Sequence, residues 1–239
     1  MSGHSKWSTI KREKGVKDAK RGAVFTRIGN QIAIAARSGI DPNMNSTLAL
    51  AIETAKQANM PAANIQRAID RVADKNAAIL EETVYEGMGP GGVGIIIEAA
   101  TDNKNRTFPE VRSTLTKNGG RVADGGSVMF QFTRKGVIRV KASGEDALLA
   151  VLDAGAEDAV EEDGEIVVYT DQKDLAKVRQ GLVDSGMTVT EAGLQYIPNA
   201  QVIIEETELA QRVLKLLDAL DDLDDVIAVH TNAEITADI

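Results

Sequence analysis

Eight Lys or Arg side chains crowd the first 27 residues of this 239-residue chain: Lys6, Lys11, Arg12, Lys14, Lys17, Lys20, Arg21 and Arg27, against the acids Glu13 and Asp18. Cations at this density do one kind of chemistry well, the neutralisation of a polyanion such as a phosphate backbone. The bland reading is a solvated helix face that only keeps the protein soluble. The charge map argues against it: residues 1–75 carry +7, 76–143 carry +2 and 144–239 carry −18, for a total of −9. Such asymmetry predicts a basic region that meets nucleic acid or another anionic surface, and an acidic region that faces solvent or a basic protein. Trp7, the single Trp, and Phe25 stand beside these cations as candidate contacts.

A second concentration of bases lies at residues 101–141, nine against three acids. Within it TDNKNRT, residues 101–107, sits where a strand feeds a helix, so Lys104, Asn105 and Arg106 could bind phosphate at the helix N-terminus. For that loop alone an Asx turn capped by Asn105 or Thr107 is the favoured reading. GMGPGGVG, residues 87–94, matches G-x-G-x-x-G, but it leads into a strand and lacks the helix that holds a phosphate. Gly89, Pro90, Gly91 and Gly92 are expected to form either a tight loop with several positive-φ positions or a tip that lets backbone approach a partner closely. Phe130-x-Phe132 resembles the stacking pair of RNA-binding sheets, yet with Val128 on the same face of a predicted strand, burial against helices is expected for both. DALDDLDD, residues 218–225, lacks the Gly and terminal Glu of an EF-hand and reads as a solvated turn. His4 and His230 lie far apart with no Cys beside them, and no nucleophile, base and orienter can be assembled. A binding protein without cofactor, metal or small-molecule substrate is expected, not an enzyme.

Three groups of elements must position these residues. Phe25, Ile28, Ile32 and Ala35 or Ala36 recur at helical spacing from Lys20 until Ser38-Gly39 and Pro42. A second helix starts at Asn45 or Ser46, and a third at Pro61 with Ile65, Ala68, Ile69 and Val72 on one face. The first 19 residues read as an arm. The pattern then changes to strand and helix: strand 93–101, helix 106–118, strands 121–124 and 127–133. From Gly136 a full β-α-β-β-α-β unit follows, with a turn at Asp163-Gly164, and after Pro198 an amphipathic helix 207–220 and a strand 225–230 supply what the first series lacks. The predicted fold is therefore α+β: a three-helix region (1–80), then two ferredoxin-like units, one (81–133 plus 200–239) with the other (134–199) inserted in it.

The absence of Cys excludes disulfides and thiolate chemistry. No window approaches the roughly 18 apolar residues of a membrane span, and no apolar run follows the N-terminal charges, so the chain reads as cytoplasmic with no membrane partner.

GHSKW at 3–7, DAKRG at 18–22, MP..NI.RAI at 60–69, YEG.GPGG at 85–92, TDNKNRT and LDALDDLDDV, in this order along the whole chain, resemble the YebC/PmpR family. The resemblance implies an N-terminal helical domain and two α+β domains in a cytoplasmic protein labelled a DNA-binding transcriptional regulator. The related mitochondrial translational activator implies an alternative: a ribosome-associated factor that binds ribosomal RNA or tRNA, touches ribosomal proteins and relieves stalling at proline-rich stretches. Ala62 and Met88 depart from the family's usual Lys and aromatic residue.

Overall fold

The computed structural model describes residues 18–72 and 78–238, with side chains from Gly22 onward. Three helices open it: α1 (Asp18–Ala36), α2 (Ser46–Gln57) and α3 (Ala62–Asp70). The apolar period of α1 buries Ile28, Ile32, Ala35 and Ala36 against Leu48, Ala55, Ile65 and Ile69. Asn45 makes the α1–α2 turn specific. Its Oδ1 accepts the Leu48 N–H (3.0 Å), and its Nδ2 donates to the carbonyls of Ala35 and Gly39 (2.7 Å each). One side chain thus caps α2 and satisfies the end of α1.

The middle unit pairs β1 (Glu81–Met88) with β2 (Gly94–Thr101) through a 3-10 turn at Pro90–Gly92. It continues with α4 (Lys104–Lys117) and β3 (Arg121–Val122). The chain next builds the third unit: β4 (Phe132–Val140), α5 (Glu145–Asp153), β5 (Asp158–Glu162), β6 (Glu165–Thr170), α6 (Leu175–Asp184) and β7 (Val189–Pro198). It then returns through β8 (Val202–Ile204), α7 (Thr207–Asp221), β9 (Val226–Thr231) and β10 (Ala233–Ile235). The two four-stranded sheets run β3-β1-β2-β9 and β5-β6-β4-β7, and β8 pairs β10 in parallel. One face of each sheet is closed by its helices. Val111 and Leu115 of α4 and Val213, Leu216, Leu217 and Leu220 of α7 cover Ile95 and Ile97, while Val151, Val178 and Leu182 cover Ile138, Val140, Ile166 and Val168. Each such Leu or Ile, fully buried, contributes about 1.5–3 kcal/mol.

The α+β class is as the sequence predicts, and the β4-to-β7 series has the expected order. Two strand expectations in the middle unit need correction. Residues 127–133 do not form its third β-α-β-β strand; they make a turn and a 3-10 segment at Met129–Gln131, and Phe132 already belongs to β4. The central place is taken by β1, which precedes β2 in the chain, so the sheet has the ferredoxin-like order with one strand moved to the front. Gly87 hides this strand in the sequence. It is a loop signal that here serves close packing, since a Cβ would sit 3.0 Å from Leu115 Cδ2. The parallel β8–β10 ladder, only three residues long on each side, is also unforeseen.

Candidate nucleic-acid interface

Lys6, Trp7, Lys11, Arg12, Lys14 and Lys17 lie outside the described residues, as do the side chains of Lys20 and Arg21. Arg27 is the member of the basic run whose side chain is described, and it lies well inside α1. Its Nη1 meets Asp221 at 3.0 Å, its Nε donates to the Val226 carbonyl at 3.1 Å, and its Nη2 donates to the Asp221 carbonyl. With only 13% of its side chain exposed, Arg27 is a tie between α1 and the α7–β9 turn and not the phosphate contact expected from its place in the basic run.

In the TDNKNRT corner the end residues Thr101 and Thr107 are buried, while residues 102–106 are exposed. Asn103, not Asn105 or Thr107, caps α4, its Oδ1 accepting the Arg106 N–H at 3.2 Å. The Thr107 hydroxyl donates to Asp225 Oδ2 (2.5 Å), and the Thr101 hydroxyl lies 2.7 Å from Thr107 Oγ1 and 3.3 Å from the same carboxylate oxygen. Arg106 Nη2 reaches both Asp225 oxygens at 2.9 and 2.8 Å. Burial alone would raise the Asp225 carboxyl, but Thr107, Arg106 and Thr101 together hold it below its ordinary value. Lys104 pairs with Glu81 at 2.8 Å, which leaves both half-exposed and mutually neutralised. Asn105 is exposed. The acidic run read as a solvated turn therefore supplies two structural carboxylates, Asp221 and Asp225.

The glycine-rich turn packs on one side against α7 and leaves Gly91 and Gly92 exposed. Pro90 is buried, and a Cβ on Gly91 (φ +74°) would lie 3.0 Å from Leu209 of α7. Gly89 is hemmed by Ile95 and Leu216, and only Gly92 (φ +78°) has open space around it. These glycines permit close helix packing and positive φ.

Sequence reasoning misplaced Phe130. Phe132 is buried, 7% exposed, but Phe130 is 71% exposed. The period of two that groups them does not apply inside a 3-10 turn. The loop before it is fastened by Glu86, whose carboxylate accepts the N–H groups of Gly126 (2.5 Å), Val128 (2.7 Å) and Met129 (2.8 Å). Burial would raise the Glu86 carboxyl, and the three N–H donors outweigh it and hold the group below its ordinary value.

A cleft of about 670 Å³ opens where the three units meet, lined among others by Gln31, Leu50, Glu98, Arg134, Lys173 and His230. Its central polar groups meet one another: His230 Nε2 is 2.7 Å from Glu98, and Arg134 is 3.6 Å from Glu98 and lies over Tyr196. Among the described residues no group of His, Asp and Glu is arranged to hold a metal ion, and no helix is long and apolar enough to cross a membrane.

Known proteins match along the whole chain. A family model described as the TACO1/YebC protein N-terminal domain matches residues 5–75, and one described as the TACO1/YebC second and third domain matches residues 80–233. A probable transcriptional regulatory protein of Chloroflexus aurantiacus is 48% identical, over 100% of this chain and 98% of its own. One of Moorella thermoacetica is 46% identical, again over 100% and 98%. The crystal structure of a conserved hypothetical protein from Aquifex aeolicus superposes with a TM-score of 0.87 at 40% identity, covering 93% of each chain.

Proposed function

The chain belongs to the TACO1/YebC family, and from that premise we propose that it is a regulatory protein that grips the phosphate backbone of nucleic acid through its basic N-terminal segment. One observation carries the reading. The cations singled out in the body each stand beside a carboxylate, Arg27 by Asp221 in a largely buried pair, Lys104 by Glu81 and Arg106 by Asp225 in more exposed ones. The densest run of positive charge in the sequence is Lys6, Lys11, Arg12, Lys14, Lys17, Lys20 and Arg21. The relatives' names as transcriptional regulators support DNA as the target. RNA, as in translation, is a second reading, favoured by the exposed ring of Phe130, which duplex DNA would leave unused.

Charge reversal tests the grip. A variant with Lys11, Arg12, Lys14 and Lys17 all changed to Glu is expected to lose measurable binding to labelled duplex DNA and to labelled RNA by fluorescence anisotropy, with an unchanged thermal melt. Unchanged binding would remove the segment from the interface.

A further inference from the structure

We propose that Phe130 is a stacking site for a single unpaired nucleobase, presented by a loop that Glu86 holds ready. The inference rests on the nucleic-acid reading above and deepens it by naming the form of the ligand.

Burying a phenylalanine stabilises a fold, so a ring left 71% exposed forgoes stabilisation available to it. Disorder does not explain the exposure, because the backbone beneath the ring is tied on every side. Glu86 takes three N–H groups on the way in. Val128, two residues before the ring, is 1% exposed and packs with Ile96 and Phe132. On the way out, Asn199 Nδ2 donates to the Phe130 carbonyl at 3.1 Å, the Asn199 N–H donates to the Gln131 carbonyl at 2.8 Å, and Asn232 holds the Gln131 side chain at 2.8 Å. A fixed backbone lowers the ordering cost of binding.

The surroundings select the ligand. Phe108, the other half-exposed phenylalanine, already has Tyr85 at 5.8 Å and Arg112 over its face. Phe130 has no ring or cation partner among the described residues. The chain around it is polar and exposed at Gly125, Gly126, Ser127 and Thr133, with open space at both glycines, and Asn199 bonds its carbonyl. A protein partner needs an apolar patch several residues wide around its anchor. One base needs one ring, with hydrogen-bonding groups beside it.

The test compares Phe130→Ala, Phe130→Leu and Phe130→Trp in the full chain, against labelled single-stranded RNA, single-stranded DNA and duplex DNA of one sequence at fixed salt. The Ala and Leu variants are expected to lose about 5- to 150-fold on the single strands, the range for a base–aromatic stack. Trp is expected to retain binding, and the duplex to be unaffected. Quenching of 2-aminopurine placed in the strand should vanish with the ring. A larger loss on RNA than on single-stranded DNA would identify the strand as RNA. Equal binding by the Ala and Trp variants overturns the inference. The four-residue charge reversal separates the two claims: if it abolishes binding while Phe130→Ala does nothing, the segment's grip stands and the stacking site falls.

Discussion

Two corners of the middle unit are each built around one carboxylate, and they differ in what it holds. Asp225 gathers side chains: the hydroxyls of Thr101 and Thr107 and the guanidinium of Arg106. Glu86 gathers backbone: three N–H groups of the 124–131 loop. The first arrangement engages Thr101, Thr107 and Arg106 in tying α4 to the start of β9, while Lys104 and Asn105 stay exposed. The second fixes the loop without touching its side chains, and Phe130 remains available. The chemistry of a loop motif is thus set by the partner of its anchor, which lies 118 residues away for Thr107.

Removing each anchor should sharpen that contrast. Asp225→Ala removes the shared acceptor of two buried hydroxyls and a guanidinium, and is expected to cost about 3 kcal/mol in urea denaturation, below the full cost of a buried pair because Arg106 is half-exposed and keeps Asp102 at 3.3 Å. A loss no larger than that of Arg106→Ala would contradict the three-donor account. Glu86→Gln keeps one acceptor oxygen and should cost less, about 1–2 kcal/mol. It should also weaken single-strand binding without altering the ring, whereas Asp225→Ala should not.

Acid should act on both corners in the same direction. The folded-state pKa values of Glu86 and Asp225 lie below their ordinary values of 4.5 and 3.8. Their contribution is present above those ordinary values and is lost as pH falls through the lower folded values. Stability should therefore decline below about pH 4.5, with a shallower decline in Glu86→Gln and Asp225→Ala. An equal slope in all three proteins would show that other carboxylates govern acid unfolding. The smallest effect on stability belongs to Phe130→Ala, expected within about 0.5 kcal/mol of wild type because the ring is exposed. A clear destabilisation would mean that the ring packs in solution.

Much of this fold is legible in the sequence because helical and strand periods are local. Asn45, Pro61 and the Asp163-Gly164 turn mark their element boundaries, and the apolar faces of α1 and α7 are where their spacing places them. What is not legible depends on distant partners. Gly87 signals a loop until Leu115 is seen against it, Arg27 signals a phosphate contact until Asp221 is seen beside it, and Phe130 shares a period with Phe132 only if the segment is a strand. Residue type is a local property, but whether a cation is already neutralised is a tertiary one.

The most direct test of the central claim is the salt dependence of binding by the full chain, measured between about 50 and 200 mM. About six phosphate contacts predict a slope of log K against log salt near −5 on duplex DNA and near −4 on a single strand, about 10³-fold weaker binding across that range on duplex, with the slope collapsing in the Lys11, Arg12, Lys14 and Lys17 reversal. A slope near zero in the wild-type chain, or one that survives the reversal, would contradict a grip made by the N-terminal segment.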